Sequence, residues 1–189
     1  MTDAVEIVSD LVKIPSVSPF GRNETERRER FERCREVLAY LEEFLQKQGA
    51  QTEQLVFEGG HDKWWYPVPN LYAELTIGDR KAAGHKFLCY MGHIDVVPVG
   101  EEKLWRRPPF SGQIDEGFVW GRGATDMKGS VGAWISALEK LKAGKGVGVN
   151  LTIGTLITGD EEWAAVNGSD KVLAWMKANG KNPDAFIVG

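Results

Sequence analysis

Apolar positions along the chain change their period several times, and each change marks an element. In residues 3–13, Val5, Val8, Leu11 and Val12 share one face of a short helix. Pro15 and Pro19 mark the loop behind it. From about Glu24 to Gln48, Phe31, Cys34, Leu38, Leu41 and Leu45 recur three and four apart, with Arg and Glu filling the other face. That pattern predicts a longer helix, and Gly49 suits the position just past its end. Residues 51–57 read as a strand, and EGGHDKWWYPVPN (58–70) as a loop. NLYAELTI (70–77) and KFLCYMGHIDVV (86–97) read as further strands. Gly129 to Lys142 reads as a helix carrying Val131, Trp134, Ile135, Leu138 and Leu141. NLTIGTLITG (150–159) is a nearly continuous apolar strand ending in acids, residues 169–179 are another helix, and DAFIVG (184–189) is a last strand.

Long strands alternating with helices predict an α/β three-layer sandwich, with a mixed, largely parallel sheet and helices on both faces. Ligands of such sheets gather beyond the carboxyl ends of the strands. Three polar motifs fall at those places: His93-Ile94-Asp95 after FLCYMG, Asp126 in TDMKG before a helix, and Asp160-Glu161-Glu162 after LTIGTLIT.

Composition narrows the classes of function. The 189 residues suffice for one domain with a sizeable core, and 42% apolar with 26% charged residues is ordinary for a soluble protein. The net charge is −4 and the basic residues are scattered, so neither nucleic acid nor an anionic membrane is an expected partner. No apolar run approaches the roughly 20 residues of a membrane span. The early acids of MTDAVEIVSD argue against a secretory signal, and a cytoplasmic protein is expected. Cys34 and Cys89 read as two buried thiols of a reducing compartment, with no close cysteine pair for a zinc site.

Taken alone, each motif has a bland alternative. His93 with Asp95 two residues on reads more readily as a structural histidine beside a turn aspartate, although such a carboxylate can also fix the tautomer of a metal-binding imidazole. Asp126 sits in WGRGATDMKG, whose three glycines let a backbone approach something closely. A phosphate loop fails there on order, since Lys128 precedes Gly129, while a helix N-cap remains open for Asp126. Three adjacent acids at the mouth of a buried strand repel one another unless a proton or a cation relieves them. Together, one histidine and several carboxylates at successive strand ends suit a dication such as zinc. One aspartate can join two such ions, and a free glutamate beside a ligand glutamate is placed to act as general base. GxSxG is absent and Cys89 lies inside a strand, so a covalent nucleophile has little support.

At MGHIDVVPVG, LWRRPPFSGQIDEGFVWGRGATDMKG and LITGDEEWAAVNGS the chain resembles a family of di-zinc metallopeptidases. That family includes succinyl-diaminopimelate desuccinylase, acetylornithine deacetylase, aminoacylase and carboxypeptidase G. The resemblance runs from IPSVSP (14–19) to FIVG (186–189), and DVVPVG, the segment Trp105 to Phe110, ITGDEE and AVNG look most like the desuccinylase branch. It implies that His93 binds one zinc, Asp126 bridges two, and Glu162 binds the second. It also implies that Glu161 is general base and acid, that Asp95 orients His93, and that the Asp126–Met127 peptide is cis. The activity implied is hydrolysis of N-succinyl-LL-2,6-diaminopimelate to succinate and LL-diaminopimelate, a step toward lysine and diaminopimelate. Two Zn2+, replaceable by Co2+, a small N-acyl amino acid as substrate and a homodimer of the complete protein go with it. Another amidohydrolase of the family, or an inactive fragment, are the alternatives.

Two departures accompany the resemblance. The chain stops at Gly189, where family members continue into a glutamate of the first zinc site; a histidine ligand, the substrate-gripping residues and a lid or dimerisation domain also lie outside it. Residues 1–189 are therefore expected to be the N-terminal part of a catalytic domain, holding one weak zinc or none alone. Trp163-Ala164 stand where desuccinylases carry Gly-Pro. Elsewhere, His61 and His85 are expected to be solvated, Trp134 and Trp175 to be core, and Trp64, Trp65 and Tyr66 either to line a binding surface or to cap the sheet. Arg122 and Lys128 are expected either to steer an anion or to be structural.

Overall fold

The first two helices start where a polar side chain satisfies an N–H that the opening turn leaves without a partner. Asp3 accepts from the Val5 N–H at 3.2 Å ahead of α1 (Ala4–Lys13), and Asn23 accepts from the Glu26 N–H at 2.9 Å ahead of α2 (Glu24–Lys47). These come from a computed structural model that describes residues 3–18, 20–21, 23–59, 66–144 and 148–189. His61, Trp64 and Trp65 lie outside the described residues.

After α2 the chain forms β1 (Gln51–Phe57), β2 (Val68–Ile77), β3 (Lys86–His93), a hairpin of β4 (Gln113–Asp115) and β5 (Phe118–Trp120), α3 (Lys128–Ala143), β6 (Leu151–Thr158), α4 (Ser169–Ala178) and β7 (Ala185–Val188). The main sheet runs β1-β2-β6-β3-β7. β2 is antiparallel to β1 and β6, while β3 is parallel to β6 and β7. The sheet is mixed, and its parallel part carries two of the three motifs, His93-Ile94-Asp95 from the end of β3 and Asp160-Glu161-Glu162 after β6.

Alternation of side chains along the strands creates two cores. Leu71, Ala73, Tyr90, Ile153 and Ile157 face α1, α2 and α3, packing with Ile7, Leu41, Val131 and Ile135. Tyr72, Phe87, Cys89 and Leu156 face the other way and pack against Val172 and Met176 of α4. Helices thus cover both faces, giving the three layers that the hydrophobic pattern predicts. Both cysteines are free and buried. No helix among the described residues is long and apolar enough to cross a membrane.

Three local readings change. The strand expected over 86–97 ends at His93; the Ile94 N–H still donates to the Thr158 carbonyl at 2.9 Å, but Val96 pairs with 16–18 instead, its N–H donating to the Ser16 carbonyl and its carbonyl accepting from the Ser18 N–H, both at 3.0 Å. The β4–β5 hairpin was not foreseen; Glu116 and Gly117 take positive φ values of 53° and 81°, the two-residue turn whose twist matches its strands. His85 is half-buried, with Nε2 2.9 Å from Thr152 Oγ1.

Candidate metal centre

Strand register brings the motifs together. His93 at the end of β3 lies opposite Thr158 at the end of β6, so the residues following each strand leave from one rim of the sheet. His93 is buried, and its N–H donates to Met127 Sδ at 3.2 Å. Its Nδ1 lies 3.0 Å from the main-chain carbonyl of Asp95, and its Nε2 lies 3.1 Å from Asp126 Oδ1 and 3.5 Å from Glu161 Oε2. Asp126 comes from the loop between β5 and α3, and the Asp126–Met127 peptide is cis. Lys128 anchors that loop: fully buried, its ammonium donates to the carbonyls of Leu11 and Ile14 at 2.8 and 2.7 Å, tying the start of α3 to the end of α1.

Asp95 has no exposed surface. One carboxylate oxygen lies 3.5 Å from His93 Nδ1, farther than the residue's own main-chain oxygen. The carboxylate's closer partners are main-chain donors: the Glu161 N–H at 3.1 and 3.2 Å and the Glu162 N–H at 3.0 Å. Asp95 therefore fixes the acidic turn as much as the imidazole. The three adjacent acids then part company. Asp160 points inward and accepts from the Tyr66 hydroxyl at 3.0 Å and from the Val166 and Asn167 N–H groups at 3.0 and 3.2 Å. Burial raises its pKa above the usual carboxylate value, with Asp95 adding to the effect and those donors opposing it. Glu161 and Glu162 are left on the rim with His93 and Asp126.

One donor atom each from His93, Asp126 and Glu162 lie within 4.8 Å of one another. Burial raises the Glu162 carboxyl above its ordinary pKa, the nearby Asp126 charge adds to it, and His93 opposes it. Burial disfavours the charged imidazole of His93, but Asp95 and Glu161 outweigh it and push the pKa up to about 9. Among the described residues no Lys or Arg forms an ion pair with Asp126, Glu161 or Glu162. Crowded carboxylates with only an imidazolium for compensation are a site short of positive charge. One nitrogen and several carboxylate oxygens are the donors that zinc accepts. The group opens into a cleft of about 230 Å³ lined by Met91, His93, Asp126, Glu161 and Ser169 among others.

Residues 89–189, which carry all three motifs, match the profile of Peptidase family M20/M25/M40. The chain belongs to this family. A succinyl-diaminopimelate desuccinylase of Rhodospirillum centenum is 39% identical over 99% of the chain, which spans 42% of that relative. Among solved structures, human carnosine dipeptidase 1 superposes with a TM-score of 0.77 at 26% identity, over 98% of this chain and 38% of that one. A metallo-carboxypeptidase of the M20 family from Sulfolobus solfataricus gives 0.73 at 26% identity, over 100% and 37%. This M20 chain thus spans about two-fifths of the length of the curated relative it matches.

Sequence reasoning missed two residues at the candidate site. Tyr66, expected either to line a binding surface or to cap the sheet, supplies the hydroxyl that donates to Asp160. Phe20 stacks flat on Trp163 at 4.7 Å, placing an aromatic shelf directly after Glu162. A tyrosine in a stretch otherwise rich in Gly and Pro was the sequence signal for the first; the second joins residues far apart in sequence and left no local pattern.

Proposed function

We infer that this M20 chain supplies the metal-binding rim of an amide hydrolase that converts N-succinyl-LL-2,6-diaminopimelate to succinate and LL-diaminopimelate. The observation that carries the reading is the convergence of His93, Asp126 and Glu162 within 4.8 Å, with Glu161 Oε2 3.5 Å from His93 Nε2. The choice of substrate is supported by the desuccinylase relative and by the DVVPVG, ITGDEE and AVNG segments. On this reading residues 1–189 are the N-terminal part of a catalytic domain. Further ligands and a lid or dimerisation domain belong to the rest of a cytoplasmic, homodimeric protein.

His93, Asp126 and Glu162 would hold two zinc ions, with Asp126 common to both. Zinc, when bound, polarises the amide carbonyl and makes water acidic enough to attack at neutral pH. Glu161 is exposed on the rim and is the group that takes the proton of the attacking water and returns it to the leaving amine. Asp95 keeps the Glu161–Glu162 turn and the imidazole in one register. Dipeptide hydrolysis is the second reading, and Trp163 favours it: 48% exposed beside Glu162 and stacked on Phe20, it suits an apolar side chain better than a dicarboxylate.

The test uses protein expressed from the whole reading frame, with amine release followed on N-succinyl-LL-diaminopimelate, N-acetylornithine and a dipeptide. Fastest turnover of the succinyl substrate, lost on chelation and restored by zinc, is expected. Preference for the dipeptide would replace the substrate, and turnover unaffected by chelation would reject the metal reading.

A further inference from the structure

A recess outside the metal group lies between the loop after β3 and the β4–β5 hairpin. It measures about 560 Å³ and is lined by Val99, Leu104, Trp105, Trp120 and Arg122, with Arg106 and Arg107 at its side. Both indoles are fixed: Trp105 Nε1–H donates to the Val99 carbonyl at 2.9 Å and Trp120 Nε1–H to the Asp115 carbonyl at 3.1 Å. Their rings therefore present faces, and arginines lie over them. Arg107 sits 4.2 Å and Arg106 5.3 Å from the Trp120 ring centre, and Arg122 lies 5.1 Å from that of Trp105.

The three guanidinium groups differ in what they already hold. Arg107 is bonded to Asp115 and lies 3.8 Å from Glu116, and Arg106 lies 4.0 Å from Glu116. Arg122 has no carboxylate partner among the described residues. Among the described residues its Nη2 makes one long contact, 3.5 Å, with the Pro98 carbonyl, and its buried Nε meets no acceptor. An unmatched buried donor is costly, whereas a planar guanidinium stacked on an indole is already oriented for two parallel bonds to a carboxylate. Arg122 also stands four positions before Asp126 on the loop that delivers Asp126 to the metal group.

We propose that Arg122, backed by Trp105, is a carboxylate-binding subsite that takes one terminal carboxylate of the N-acyl amino-acid substrate. The identity of that ligand rests on the amide-hydrolase reading; the subsite itself does not. Lys128, the other cation that the sequence left open, is consumed by the Leu11 and Ile14 carbonyls and takes no part. The subsite would add selection for an anionic substrate end in a recess that shares no lining residue with the cleft at the metal group.

Binding is measured on the metal-free chain, so neither zinc nor turnover enters the result. Succinate is titrated at constant ionic strength while the indole N–H resonance of Trp105, assigned with Trp105→Phe, is followed by NMR. A saturable shift is expected, weakened about tenfold or more in Arg122→Gln, corresponding to loss of about 1.4 kcal/mol. Lys177→Gln removes the same charge from an exposed position of α4 that does not line the recess and should leave the affinity unchanged. Arg122→Lys keeps the charge without the fork and should still bind several-fold more weakly; it stands in if Arg122→Gln does not fold. No saturation, an equal response in both Arg122 variants and the wild type, or phosphate binding as tightly as succinate would each overturn the proposal.

Discussion

The Asp95 carboxylate accepts the backbone N–H of Glu161, at 3.1 Å to one oxygen and 3.2 Å to the other. The same carboxylate holds the Glu162 N–H at 3.0 Å, so one buried side chain after β3 fixes the turn after β6 that carries two of the rim acids. Asp95→Ala would strand both donors, which predicts a loss of about 2–4 kcal/mol in urea unfolding. Zinc affinity should fall about 10- to 100-fold, because the turn and the imidazole lose their common anchor. Unchanged stability and unchanged zinc affinity would show that the turn stands without Asp95.

The proposed function gives the neighbours Glu161 and Glu162 different tasks. Glu161→Gln keeps the shape of the rim and removes the base, so zinc binding should stay within about twofold while turnover falls about a hundred- to ten-thousand-fold. Glu162→Gln should weaken zinc binding itself. Parallel titrations and rate measurements on the two variants separate the roles, and the reverse pattern would exchange them.

Much of this was legible in the sequence, and the reasons are specific. Elements with strong periodicity, such as Leu38-Leu41-Leu45 in α2 and the apolar run of β6, were placed to within a residue or two. The convergence of His93, Asp126 and Glu162 was legible only through strand-end logic and the family resemblance, since the three are far apart in the chain. What stayed hidden depends on partners distant in sequence: the inward turn of Asp160 onto Tyr66, Asp95 serving main-chain donors, and Val96 leaving the sheet for Ser16. The β4–β5 hairpin escaped because its three-residue strands are too short to show a period.

Gly132 sets the approach of α3 to α1. A methyl group there would meet Val8 Cγ2 at 2.5 Å and the Val8 nitrogen at 3.3 Å. Alanine would ordinarily favour a helix over glycine by about 1 kcal/mol, but overpacking against a stiff β-branched side chain costs about 1–3 kcal/mol. Gly132→Ala should therefore destabilise, and Val8→Ala in the same chain should restore part of the loss. Thermal unfolding of the single and double variants decides; a stabilising Gly132→Ala would mean that the helices separate freely.

Glu74 gives the pH dependence a definite sign. Its buried carboxylate accepts from the Tyr72 hydroxyl at 2.7 Å, Lys181 at 2.9 Å and Arg80 at 3.1 Å. Burial alone would raise its pKa, but Lys181, Tyr72 and Arg80 outweigh it and hold the carboxyl below its ordinary value of 4.5. The unfolded chain then binds the proton more readily, so this contribution is complete above about pH 4.5 and is lost as pH falls through the lower folded value. Glu74→Gln should lower stability near neutrality by about 1–3 kcal/mol and flatten the fall below pH 4.5. Urea midpoints collected from neutrality into acid would show it, and identical acid limbs in both proteins would remove Glu74 from the account.

The central claim is that His93, Asp126 and Glu162 converge to hold a metal ion. Zinc-edge anomalous diffraction from crystals grown with zinc tests it most directly. An anomalous peak bonded to His93 Nε2 and to carboxylate oxygens of Asp126 and Glu162 is the predicted result. No peak at that rim, or zinc bound elsewhere while these three side chains turn apart, would contradict it.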